Sequence, residues 1–206
     1  MLDHLVYAAP DLERAVESIE RLLGVRPAFG GKHAGGLTHN ALLSLGEGSY
    51  LEVIAPVSAA ETTSRGSLPF GLSGLTSPRL AAWAVAVDDL VKRVDSARAA
   101  GYDPGGIMAG GRDLPDGGHL SWQMAVRPEQ PGDGLVPFLI RWTSEPHPSA
   151  NAPGGCQFVS LRAEHPEPEV VLVMLQALSV DLPVTAGDEP RLIATLDTPR
   201  GTVELS

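Results

Sequence analysis

The 206-residue chain is 43% hydrophobic and 19% charged, enough apolar matter for a core and too little charge for a disordered chain. Its 15 basic and 25 acidic residues leave a net charge of −10, which disfavours nucleic acid and anionic membrane surfaces but permits a small ligand in a local pocket. The one cysteine, Cys156, closes no internal disulfide and no thiolate zinc cage, so a reducing cytoplasm fits.

Met1 to Pro10 lacks the basic flank and long apolar stretch of a signal peptide, and no segment approaches the ~20 apolar residues of a bilayer span. His4 to Ala8 is a β-like run leading through Pro10-Asp11 into a predicted helix. Its apolar residues, Leu12, Val16, Ile19 and Leu23, recur at steps of four, three and four, with Asp11 as N-cap and Gly24 as stop. The run His33 to Asn40 reads as a polar, Gly-rich loop. Ala41 to Leu45 and Tyr50 to Ala55 flank Gly46-Glu47-Gly48-Ser49, a hairpin. Residues 58–79, rich in Ser, Thr, Gly and Pro, form a connector. Ala82 to Val87 then opens a second strand, followed by Asp88-Asp89 and a helix with Leu90, Val94 and Ala97 on one face before Gly101. Leu120 to Val126 and Val136 to Trp142 make a second hairpin, and 145–155 reads as a linker. Phe158 to Arg162, a helix containing Leu172, Leu175 and Leu178, and strands at Leu192 to Leu196 and Thr202 to Leu205 complete the chain.

The openings of these stretches repeat at a spacing of 78 residues: Pro10-Asp11 aligns with Asp88-Asp89 and, 156 residues on, with Pro166-Glu167. The reading is therefore an α+β chain of tandem strand-helix-strand modules, at 1–57, 80–144 and 156–206, within one globular unit. The third module is expected to be partial and to lack a strand.

Three segments carry a family resemblance: Leu2-Asp3-His4-Leu5-Val6-Tyr7 with Pro10-Asp11-Leu12; Gly30-Gly31-Lys32-His33 through Thr38-His39-Asn40 to Tyr50-Leu51-Glu52; and Pro137-Phe138-Leu139-Ile140-Arg141-Trp142. On them the chain resembles the glyoxalase-like domain subgroup of the vicinal oxygen chelate superfamily. The resemblance implies βαβββ modules whose mixed sheets curl around a cleft for a metal and a small ligand. It also implies metal ligands on the first and last strands of each module, places that His4 and Glu52 hold in the first. An imidazole and a carboxylate there suit a divalent ion. In the second module the matching positions are Ala82 and Ile140, or Arg141 if the hairpin slips by one, so half of the usual set is missing. Either a divalent ion binds at His4 and Glu52, or these two bond each other or a ligand without metal.

His33, Thr38 and Asn40 match the subgroup motif and are candidate substrate-binding residues, with turn chemistry as the alternative. Trp142, with Phe138 and Ile140, offers apolar cleft surface, and Arg141 is either an anchor for an anionic group or an outward, solvated side chain. Ala82, Ala84 and Ala86 either line the cleft or allow close packing. His119 closes over the cleft or is a loop residue; His147 and His165 are expected at the surface. Two functions stay open. The first is an enzyme binding a small oxygenated organic molecule, a lyase or isomerase with Glu52 as general base and His4, Asn40 or a metal stabilising an enolate. The second is a metal-free module that sequesters a small molecule without turning it over. A homodimer is also left open.

Overall fold

The computed structural model describes residues 1–46, 48–57, 68–114 and 117–206. Strand β1 (Leu2–Ala8) leads to helix α1 (Leu12–Leu23) and strands β2 (Ala28–His33), β3 (Thr38–Ser44) and β4 (Tyr50–Pro56). The same order follows in β5 (Arg79–Ala86), α2 (Leu90–Ala99), β6 (Ile107–Asp113), β7 (His119–Ala125) and β8 (Phe138–Trp142). It follows again in β9 (Gln157–His165), α3 (Pro168–Ala177), β10 (Val184–Ala186), β11 (Arg191–Thr198) and β12 (Gly201–Leu205).

The helix signals act as expected. Asp11 caps α1 by accepting the Arg14 backbone N–H at 2.9 Å, and Gly24 stops it in the left-handed region at φ 80°. Asp89 caps α2 in the same way through Lys92. Two expectations are corrected. The run His33 to Asn40 is not loop throughout: His33 ends β2, Thr38, His39 and Asn40 open β3, the two strands pair antiparallel, and only 34–37 form the turn. The third stretch does have three strands after its helix, β10 being only three residues long.

The first eight strands close into a barrel in the order β1-β4-β3-β2-β6-β7-β8-β5, and β10-β9-β11-β12 form a separate sheet. The pairing across the β1–β5 seam is symmetric: His4 pairs with Ala84 and Val6 with Ala82, on either side of Leu5 and Trp83. Since 4 and 82, 5 and 83, and 6 and 84 each differ by 78, the register maps onto itself under that shift. Strand alternation sorts the side chains. Leu5, Leu51, Val53 and Leu139 turn outward beneath the helices, into a core that also takes Leu161, Leu192, Ala194 and Leu196 of the second sheet. Val6, Ala8, Ile54, Phe138 and Ile140 turn inward. An eight-stranded barrel has an interior that side chains just fill or that holds one small ligand. Here part of it is empty. No helix among the described residues is long and apolar enough to cross a membrane.

Candidate functional site

The barrel encloses a cavity of about 320 Å³ whose walls come from both halves of the barrel. One side is apolar and aromatic, built by Phe70, Trp122, Met124, Phe138, Ile140 and Trp142. The other is polar. Strands β1 and β4 are parallel neighbours with Val6 opposite Glu52, so alternation turns His4, Tyr50 and Glu52 toward the same interior. His4 and Tyr50 stack with ring centroids 4.7 Å apart, and Phe138 meets the edge of His4 at 5.4 Å.

A chain of buried hydrogen bonds fixes this polar end. Arg112 Nη1 donates to Asn40 Oδ1 at 2.6 Å, and Asn40 Nδ2 donates to Glu52 Oε1 at 2.5 Å. The amide thus links a buried guanidinium to a buried carboxylate, compensating charges that would be costly alone. His33 Nε2 lies 3.4 Å from the same Glu52 oxygen, and its Nδ1 is 2.9 Å from Thr38 Oγ1. Glu52 Oε2 receives no hydrogen bond from the described residues; His4 Nε2 faces it at 3.8 Å. Burial would raise the Glu52 carboxyl, yet His33, then His4 and Asn40, outweigh it and bring it down to about 2. Behind His4, Asp3 accepts from His4 Nδ1 at 2.6 Å, from Trp142 Nε1 at 3.0 Å and from His147 Nε2 at 3.3 Å. Burial would likewise raise the Asp3 carboxyl, but the bonds from His147 and His4 hold it well below the usual carboxylate range. Burial also pushes the Tyr50 phenol well above its ordinary value.

The cavity therefore brings together His4, His33, Thr38, Asn40, Glu52 and Trp142. Arg141 is not among them. Ile140 and Trp142 face inward, so Arg141 between them turns to solvent. Ala84 is buried away from the cavity and Ala86 is exposed, so only Ala82 of that row reaches an opening, a second cavity beyond Phe70 and Phe138. His147 and His165 are not surface residues: the first is half-buried on Asp3, and the second is buried and accepts the Glu167 backbone N–H. His119 is exposed and pairs with Asp113. Sequence reasoning missed Arg112, Asp3, Tyr50 and Trp122. The available signals were a lone charge after paired glycines in Gly110-Gly111-Arg112 and an acid beside a histidine inside an apolar run.

A family model described as a glyoxalase-like domain matches residues 2–179. The chain belongs to the glyoxalase-like domain family. No match is found among curated proteins. Among solved structures, a hypothetical protein from Staphylococcus aureus has a TM-score of 0.65 at 12% identity, with 98% of this chain and 83% of that one covered, a likeness of fold. Methylmalonyl-CoA epimerase from Mycobacterium tuberculosis has a TM-score of 0.44 at 19% identity, covering 72% of this chain and 91% of that one. A variant of the Streptomyces coelicolor methylmalonyl-CoA epimerase, in complex with 2-nitronate-propionyl-CoA, has a TM-score of 0.44 at 16% identity, covering 69% and 97%.

The divalent ion implied for this glyoxalase-like chain by its superfamily does not fit the donors present. The position 78 residues after His4 is Ala82. The position matching Glu52 is Phe138 rather than Ile140 or Arg141, because Val6 pairs with Glu52 and Ala84, its counterpart, pairs with Phe138. Glu52 Oε1 is already bonded to Asn40. No group of three or more His, Cys, Asp or Glu side chains among the described residues is arranged to hold a metal. Two donors hold a divalent ion weakly, short of the three or four protein ligands of stable sites.

Proposed function

We propose that this glyoxalase-like protein, built of tandem βαβββ modules, binds a small oxygenated organic molecule in its barrel cavity, with Glu52 as general base of a lyase- or isomerase-type step. The observation that carries the reading is Glu52 Oε2, on a buried carboxylate held ionised, without a hydrogen bond from the described residues and beside a cavity with one apolar wall. A proton on a carbon next to a carbonyl would pass to Oε2, its bonding pair moving into an enolate, while Asn40, itself held by Arg112, keeps the other oxygen in place. Low basicity matches the group to an acidic substrate proton. The one cysteine, Cys156, is free and buried, which suits a reducing cytoplasm.

A second reading, a metal-free sequestering module, is favoured by a specific observation. Asn40 accepts from Arg112 and spends its amide N–H groups on Glu52 and toward His33 Nε2 at 3.4 Å, and the Trp142 N–H is spent on Asp3, so neither residue holds a donor in reserve for an enolate. The two readings separate in deuterium oxide. A panel of 2-oxo and α-hydroxy-carbonyl compounds is followed by proton NMR for exchange at the α-carbon. The enzyme reading expects exchange that Glu52→Gln abolishes; exchange unaffected by Glu52→Gln removes Glu52 from the mechanism. Tight binding without exchange supports the sequestering module.

A further inference from the structure

The two atoms that face one another at the polar end of the cavity, His4 Nε2 and Glu52 Oε2, belong to side chains only 4% and 8% exposed. What each offers a ligand follows from what holds its other side. An ionised carboxylate only accepts hydrogen bonds. Asp3, fully buried, lies 2.6 Å from His4 Nδ1, so that nitrogen carries a proton and donates it. In its neutral form an imidazole has a single N–H; with that N–H spent on Asp3, His4 Nε2 would turn a bare lone pair into the cavity. Asp3 is fixed in turn by Trp142 and His147, and His147 Nδ1 accepts the Ser149 backbone N–H at 3.3 Å. With His4 neutral, both facing atoms are acceptors.

We propose that this pair of acceptors recognises a primary ammonium group on an apolar, ring-bearing small molecule. A primary ammonium has enough N–H donors to satisfy both lone pairs at once. A hydroxyl has one hydrogen and leaves its oxygen facing the second acceptor. Charge points the same way: with His4 neutral, Asp3 and Glu52 against Arg112 leave one negative charge uncompensated among the buried side chains around the cavity. Tyr50, Phe138 and Trp142 also line the cavity with aromatic rings, whose faces attract cations. The proposal rests on the reading of the cavity as a ligand site, and not on whether the ligand is turned over.

Two measurements test it. Long-range proton–nitrogen NMR of the imidazoles at neutral pH is expected to show His4 neutral and protonated at Nδ1, with that preference lost in Asp3→Asn. A His4 protonated at Nε2, or at both nitrogens, overturns the proposal, and the wild-type spectrum decides even if the variant fails to fold. Calorimetry then compares four probes: 2-phenylethylammonium, 2-phenylethanol, the trimethylated quaternary ammonium and phenylacetate. The primary ammonium is expected to bind at least about tenfold more tightly than the alcohol or the quaternary ion, the size of one or two charge-assisted hydrogen bonds, with phenylacetate weakest. Equal or tighter binding of any comparator overturns the proposal and leaves the cavity reading intact. Binding of none overturns both.

Discussion

Gly30 tests the buried network with a single carbon atom. Its backbone lies outside the left-handed region, so alanine is allowed there, and in open space the change would stabilise by about 0.4–1 kcal/mol through the unfolded chain. The space is not open. A Cβ at Gly30 would overlap Nη1 of Arg112 and Oδ1 of Asn40, the two atoms of the hydrogen bond that anchors Glu52, and would press on Leu42 at 3.1 Å. Losing a hydrogen bond to a charged group costs roughly 1.5–3 kcal/mol, and overpacking a core adds about 1–3 kcal/mol. We expect Gly30→Ala to destabilise by about 3 kcal/mol. For a domain of this size that lowers Tm by ~6–12 °C, read by scanning calorimetry. In an Arg112→Met background the cost should shrink by about 1 kcal/mol or more, because the displaced partner is already gone. An unchanged or raised Tm for Gly30→Ala would refute the network as the reason for glycine there.

The remaining expectations concern acid, metal and the outer face. The Glu52 carboxyl titrates at about 2 in the folded protein against an ordinary 4.5, so its contribution is complete above about pH 4.5 and is lost as the pH falls toward 2. Between pH 6 and pH 3 the wild type should lose roughly 2 kcal/mol more than Glu52→Gln in urea unfolding, and equal losses would contradict the assignment. Protein purified without chelators should carry less than one equivalent of any divalent ion, and chelation should leave its Tm unchanged; a stoichiometric ion lost on His4→Ala would mean that His4 and Glu52 do hold a metal. Arg141→Ala should leave probe binding unchanged and alter stability by no more than about 0.5 kcal/mol, since that side chain faces solvent.

How far the residues announced all this differs between elements. Helices α1 and α2 were legible because three signals coincide in each: an aspartate cap, an apolar stripe on one face and a glycine beyond the end. The polar strand residues His4 and Glu52 were legible through alternation and the family motif. Strands β2 and β6 were not, because Gly30-Gly31 and Gly110-Gly111 carry no side-chain pattern. Those glycines are sites of close approach, where a Cβ would strike Arg112, Asn40, Asp113, Trp122 or His119. Arg112 escaped notice for the same reason, and its partner Asn40 is 72 residues away. The contact of His147 with Asp3 spans 144 residues and depends on how the linker folds back, which no local pattern encodes.

The seam around Leu5 and Trp83 has an outcome for the ligand itself. A barrel whose two halves repeat each other in backbone about a twofold axis would by default accept a guest either way round. Here one half brings His4 and Glu52, while its counterpart brings Ala82 and Phe138. The enclosure is near-symmetric in shape and lopsided in chemistry, and so an occupant has only one favourable direction in which to lie.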